Sequence, residues 1–421
     1  MYKKTSLKSG LRFIHVPVKD IDTATFLVLF GVGSKYETDK IAGLSHFLEH
    51  MFFKGTTKRP DSMAISEYLD EVGGEYNAFT SKEYTGYYAK VASKHIERGV
   101  DFVSDILLHS KFDASELEKE RGVIIEEMNM YRDMPANYVS ELFEKLLYGN
   151  TPAGELIVGH KESILGVKRD DFVNYFKSHY LIKNAVVCMA GNIDEKESMD
   201  LAEKYLGEFI DGKKVDKEKV IEKQEKSEIL VFNKKTDQTH LCLGVRSFDM
   251  FSEKRYPLLL LSVILGGGMS SRLFSEIREK RGLAYYVRAN SEEYTDSGYM
   301  VVQAGVKNEN ADDAIKVCID EFKKIKDVKV SEKELKKAKE FIKGRTLIGL
   351  ESSDEKAMFF SMQEVLKNKI ETIEEKFKKI DAVTVEDVQK IAQEIFVNEK
   401  LNLSIIGPIE NKDEYLKLLS L

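Results

Sequence analysis

The chain has 421 residues, enough to build two sizeable hydrophobic cores. Its 43% hydrophobic and 32% charged content is that of a globular protein, and a net charge of −7 without a basic stripe argues against a nucleic-acid partner. The longest apolar runs, such as residues 25–32, have strand length, so no membrane span is expected.

In chain order, strand-like runs at 11–16 and 25–32 precede an apolar-periodic helix at 42–53. A second helix at 62–72 ends at Gly73-Gly74, and strands follow at 75–80 and 85–91. Two long amphipathic helices and an apolar strand at 185–193 close this half. The segment 213–226 is dense in Lys and Glu and reads as a linker. The order then repeats: strands at 228–232 and 240–245, helices at 256–265 and 271–280, Gly282, strands at 284–290 and 297–305, two long helices, and a strand at 401–409. The expected fold is α+β, with two homologous halves, each a mostly antiparallel sheet covered by helices on one side. The domains are 1–212, a linker at 213–226, and 227–421.

The first helix carries His46, Glu49 and His50. Positions i and i+4 share a helix face, so both imidazoles can grip one ion. Glu49 stands one residue before His50, within reach of a water activated there, the minimal apparatus of metal-assisted hydrolysis. The bland alternative is a core helix with two satisfied histidines. Buried among Leu44, Phe47, Leu48 and Met51, however, this polar set needs a compensating partner. The repeat provides a control, because the matching helix at 256–265 has no histidine.

A catalytic zinc takes a third protein ligand. The segment 115–132 supplies candidates, with Ser115 and Glu118 in capping-box positions and Leu117, Ile124, Met128 and Tyr131 in one apolar stripe. Glu120 and Glu127, two turns apart, lie on nearly the same face, whereas Glu126 is rotated by about 100°. Helical geometry favours Glu127 and leaves Glu126 as the alternative. The repeat counterpart of Glu127 is Arg345.

His46-x-x-Glu49-His50, followed 77 positions after His50 by Glu127 in the stretch Glu120-Arg121-Gly122-Val123-Ile124-Ile125-Glu126-Glu127, resembles the M16 (pitrilysin-like) inverzincin peptidases. The length resembles the shorter, mitochondrial-processing-peptidase-like branch. The resemblance implies a zinc-dependent endopeptidase acting on unfolded peptides or leader sequences. His46, His50 and Glu127 would hold zinc, Glu49 would be the general base, and Glu120 would support a ligand imidazole. It further implies that the strand carrying Asn77, Ala78 and Phe79 pairs with the peptide through its edge. Gly266-Gly267-Gly268 would be a flexible loop near substrate, and Arg278 and Tyr285 would contact substrate beside the scissile carbonyl. At this length the expectation is a homodimer with a closed chamber, in which Arg278 and Tyr285 of one copy complete the zinc site of the other. The competing reading is a non-catalytic scaffold or peptide-binding subunit of the same fold.

Cys188, Cys242 and Cys318 lie far apart in apolar segments and read as buried, reduced thiols. The first residues resemble neither a signal nor a transit peptide, so a cytoplasmic location is expected.

Overall fold

The computed structural model describes residues 2–207, 209 and 211–421. Its strands are β1 (Lys3–Ser6), β2 (Arg12–Pro17), β3 (Thr23–Phe30), β4 (Glu75–Thr80), β5 (Thr85–Ala92), β6 (Ala185–Gly191), β7 (Glu228–Asn233), β8 (Gln238–Arg246), β9 (Ala284–Glu293), β10 (Gly298–Lys307) and β11 (Leu401–Gly407). They form one sheet ordered β1-β2-β6-β3-β5-β4 and another ordered β7-β11-β8-β10-β9. Pairing is antiparallel except for β2 with β6 and β7 with β11. The two α+β halves and their repeated strand order agree with the sequence reading, which missed only β1 among these strands but expected helices on one side of each sheet, where both faces are covered.

The chain packs as two compact units, and neither is continuous in sequence. The first takes in residues up to Met128, Glu155–Glu218 and Leu347–Ile370. The second takes in Asn129–Gly154, Lys219–Thr346 and Glu371–Leu421. The boundaries 1–212 and 227–421 assign two helices by sequence order, whereas by packing each helix belongs with the other unit.

In the first unit, helix α1 (Leu44–Met51), α2 (Ser62–Asp70) and α3 (Ile96–His109) lie beside one face of the six-stranded sheet, and α4 (Ala114–Arg132) follows them in the chain. The helix Ser353–Lys367 covers the opposite face, burying Ala357, Phe360 and Val365 against Ile14, Leu27, Leu29, Val186 and Cys188. Each such large apolar side chain contributes about 1.5–3 kcal/mol. Cover on both faces explains why β3 and β6 read as unbroken apolar runs without alternation.

The second unit repeats this plan. Its core lies between one sheet face and the helices Arg255–Gly266, Ala311–Asp327 and Val385–Ile395. Helix α5 (Pro135–Tyr148) lies on the other face, where the Ser404 hydroxyl donates to the Val139 carbonyl at 2.8 Å. A side chain at Gly244 of β8 would strike Phe143 of this helix, which explains the glycine.

The stretch 211–224 has neither helix nor strand, yet it is tied down. Lys217 lies 3.3 Å from Glu83 in the first unit, and Gln224 donates to the Leu401 carbonyl in the second. Among the described residues no helix is long and apolar enough to cross a membrane.

Candidate active site

Helix α1 forms because Leu44, Phe47, Leu48 and Met51 repeat at helical spacing and are buried together. It begins at Gly43, whose left-handed φ of 92° and close approach to the Val158 carbonyl leave no room for a side chain. The Glu37 carboxylate accepts the Gly43 and Ser45 amides at 2.7 and 2.5 Å, satisfying the first turn. Burial pushes the Glu37 carboxyl up to about 7 against those hydrogen bonds.

Helix α4 buries Leu117, Glu120, Arg121, Ile124 and Met128, and leaves Glu127 half-buried and Glu126 exposed. The periodicity argument for Glu127 thus agrees with the structure. The expected cap does not: Asp113 accepts both the amide and the hydroxyl of Ser115, at 2.8 and 2.6 Å, while Glu118 pairs with Arg121. An aspartate in front of the helix takes the Ser115 amide that the Glu118 side chain would accept in a capping box.

The two helices bring His46, His50 and Glu127 into one cluster, with ligand atoms within 4.8 Å of one another. His46 Nε2 is 3.6 Å from Glu127 Oε1, and His50 Nε2 is 3.5 Å from Oε2. Tetrahedral zinc with bonds of about 2.1 Å keeps its ligand atoms roughly 3.4 Å apart, so this donor set fits a metal of that kind. His50 Nδ1 lies 2.9 Å from Glu120 Oε1, so its ring is held from behind and Nε2 is left for the cluster. Lys54 contacts the other Glu120 oxygen at 2.6 Å. Burial raises the Glu120 carboxyl, but the hydrogen bonds from His50 and Lys54 outweigh it and hold the group below its usual range.

Glu49 makes no part of the donor set. Its Oε2 accepts the Thr80 hydroxyl at 2.6 Å. Burial pushes the Glu49 carboxyl upward, opposed by Thr80 and the two imidazoles. A raised carboxyl is a stronger base than a free carboxylate, which suits it to take up a proton.

Thr80 ends β4, the outer strand of the six-stranded sheet. Asn77 pairs with Tyr88, Ala78 with Tyr87 and Phe79 with Gly86 of β5. The Ala78 amide donates to its neighbour Asn77 Oδ1 at 2.9 Å, so it points away from β5 to the open edge.

Arg278 and Tyr285 lie in the second unit, both exposed; Tyr285 is 54% accessible. The Arg278 guanidinium sits 5.1 Å from the Phe274 ring, within a stretch of π-helix at Phe274–Glu279 where an α-helix had been expected. Gly268 packs beside Phe341.

Sequence reasoning missed Glu37, Thr80 and Lys54. Lys54 had a signal, since it stands four residues beyond His50. Thr80 had none, because its role depends on where a strand from another part of the chain ends.

Two family descriptions match the chain: "Insulinase (Peptidase family M16)" over residues 16–161 and "Peptidase M16 inactive domain" over 166–342. The chain belongs to the M16 peptidase family. It is 37% identical over 412 residues to the uncharacterized zinc protease YmxG of Bacillus subtilis, covering 98% of this chain and 99% of the relative. It is 32% identical over 419 residues to an uncharacterized zinc protease of Streptomyces coelicolor, covering 97% and 90%. The fold matches the crystal structure of a protease from Helicobacter pylori with a TM-score of 0.90 at 24% identity, covering 97% of this chain and all of the other.

Proposed function

We propose that this chain is a zinc-dependent endopeptidase that cuts unfolded peptides or leader sequences. One observation carries the reading: the His46–His50–Glu127 cluster has Glu49 beside it, half-buried and outside the donor set. His46, His50 and Glu127 would hold the ion. Bound there, zinc would supply Lewis acidity and make water a nucleophile at neutral pH.

Glu49 takes the proton from the attacking water and passes it to the leaving amine. Thr80 holds that carboxylate in place, and Glu120 fixes the ring of His50. The peptide adds to the open edge of β4 beside Asn77, Ala78 and Phe79. Backbone pairing there gives affinity with little demand on sequence.

The working form is a homodimer with a closed chamber. Arg278 and Tyr285 of a second copy donate to the oxyanion that forms at the scissile carbonyl. Both side chains are exposed and able to serve a neighbour. The three free, buried cysteines suit a reducing, cytoplasmic setting.

The test measures zinc content and cleavage of a fluorogenic peptide library, with and without a chelator, in the wild type and in Glu49→Gln. The expected result is chelator-sensitive cleavage in the wild type, and zinc retained with cleavage down by about 10²–10⁴-fold in Glu49→Gln. Unchanged cleavage in Glu49→Gln removes the general base. Zinc without cleavage of any peptide favours the scaffold reading.

A further inference from the structure

Two loops that lead to the metal cluster clasp each other. Residues 33–36 run from β3 towards Glu37 and the start of α1, and residues 81–84 turn from Thr80, at the end of β4, into β5. The Ser34 amide donates to the Ser81 carbonyl at 3.1 Å, and the Lys35 amide donates to the Lys82 carbonyl at 2.9 Å. The Thr85 hydroxyl donates to the Val32 carbonyl at 2.8 Å. A β-carbon at Gly33 would stand 2.1 Å from the Ser81 oxygen, so the two backbones approach too closely for any side chain there.

Glu83 lies within this clasp, its side chain 2% exposed. Its Oε1 takes the Lys35 ammonium at 2.9 Å and the Lys217 ammonium at 3.3 Å. The Lys217 side chain is only 10% exposed, although it comes from a stretch with neither helix nor strand. Holding a lysine there costs rotamer freedom and the desolvation of its ammonium, which the contact must offset. Lys35, Glu83 and Lys217 all belong to the first unit.

Each loop ends on a group that the chemistry uses. Three residues before Glu83, the Thr80 hydroxyl holds the Glu49 carboxylate at 2.6 Å. Two residues after Lys35, Glu37 accepts the Gly43 and Ser45 amides and fixes the first turn of the helix that carries His46 and His50. The Ser81 amide closes its turn on the Tyr84 carbonyl at 2.8 Å, so a shift of Glu83 reaches Thr80 through a short, hydrogen-bonded piece of backbone. The place of Glu83 thus governs how Thr80 stands relative to α1.

We propose that Lys217 is a positioning residue for the peptidase reaction: by gripping Glu83 it keeps Thr80, and through Thr80 the Glu49 carboxylate, in place against the metal cluster. The proposal rests on the peptidase reading above. It gives the segment that joins the two halves of the sequence a task in the chemistry, carried out through Glu83 and the 81–84 turn.

The test compares Lys217→Met, which keeps an apolar stem and removes the charge, with Lys217→Arg, which keeps the charge. In Lys217→Met, kcat on a fluorogenic peptide falls about three- to tenfold per zinc-loaded molecule while KM stays within about twofold. The 81–84 turn takes up deuterium about tenfold faster, followed by mass spectrometry. Lys217→Arg returns all three towards the wild type. Lys217→Gln gives the same split as Lys217→Met and is read in its place should that variant not fold. A residue that only stabilised the fold would lower the urea midpoint and leave kcat per folded molecule unchanged, and that result overturns the proposal. So does a loss of kcat that Lys217→Arg does not reverse. A wild type that cleaves no peptide overturns the peptidase reading instead, and deuterium uptake then still decides whether Lys217 holds the turn.

Discussion

His50 and Glu120 are joined by a 2.9 Å contact from Nδ1 to Oε1, seventy positions apart in sequence. His46 has no such support, since its Nδ1 is buried without a hydrogen-bond partner among the described residues. Packing alone orients one ring, whereas a carboxylate on another helix orients the other. Glu120→Gln keeps the shape and removes the charge. Zinc affinity should fall by about tenfold or more, measured by competition with a chromogenic chelator. Equal affinity would show that the contact does not tune the site.

The edge-facing amide of Ala78 leads to a test on the substrate rather than the enzyme. Peptides methylated at alternate backbone nitrogens lose one register of edge hydrogen bonds and keep every side chain. One alternating set should lose about fivefold in kcat/KM per bond removed, and the other much less. Loss that is uniform across both sets would exclude strand addition at β4.

Copies that complete each other's sites can be distinguished by mixing. Glu49→Gln and Arg278→Ala chains, each inactive alone, should regain about a quarter of wild-type activity after random pairing. Confirmed mixed dimers without recovered activity would end the trans arrangement.

Glu37 should make stability depend on pH. Its folded value of about 7 is raised above the usual carboxyl value, so the folded state binds its proton more tightly than the unfolded state. This contribution is fully present below pH ~4.5 and is lost as pH rises through about 7, a change of up to roughly 3 kcal/mol. Urea unfolding at pH 5 and pH 8 should show the wild type losing stability relative to Glu37→Gln across that interval. Parallel curves would contradict it.

Against α3, Arg59 is buried beside Asp101 and Asp105, and Asp105 also accepts the Thr56 hydroxyl at 2.7 Å. Asp101 in turn accepts the Tyr68 hydroxyl at 2.8 Å. Replacing Arg59 with Met takes the buried guanidinium from both carboxylates, leaving Asp101 with Lys58 and Tyr68 and Asp105 with Thr56 and His109. The cost should be about 3–5 kcal/mol, read as a lower urea midpoint.

Much of this was legible before any coordinates. Helical spacing separated Glu127 from Glu126, because a rotation of about 100° takes one residue inward and the next outward. The repeat located both sheets, because unbroken apolar strands and glycine turns recur at matched positions. The cap of α4 was misplaced by two residues, because Asp113 and Ser115 are both good acceptors and only geometry ranks them. The exchange of α5 and the 353–367 helix could not be read at all. An amphipathic helix declares which of its faces is buried, but not the sheet that buries it.

That exchange has a consequence for how the molecule can be divided. A piece ending before residue 213 would leave Leu27, Leu29 and Val186 bare to water, since the helix that shelters them is encoded more than a hundred residues further on. A piece starting at 227 would strip the opposite sheet of α5 in the same way. Made apart, each would clump through its naked surface; made together, they would have to interlace to become soluble. The two bodies are woven from a single thread, each borrowing a helix from the other's half of the sequence.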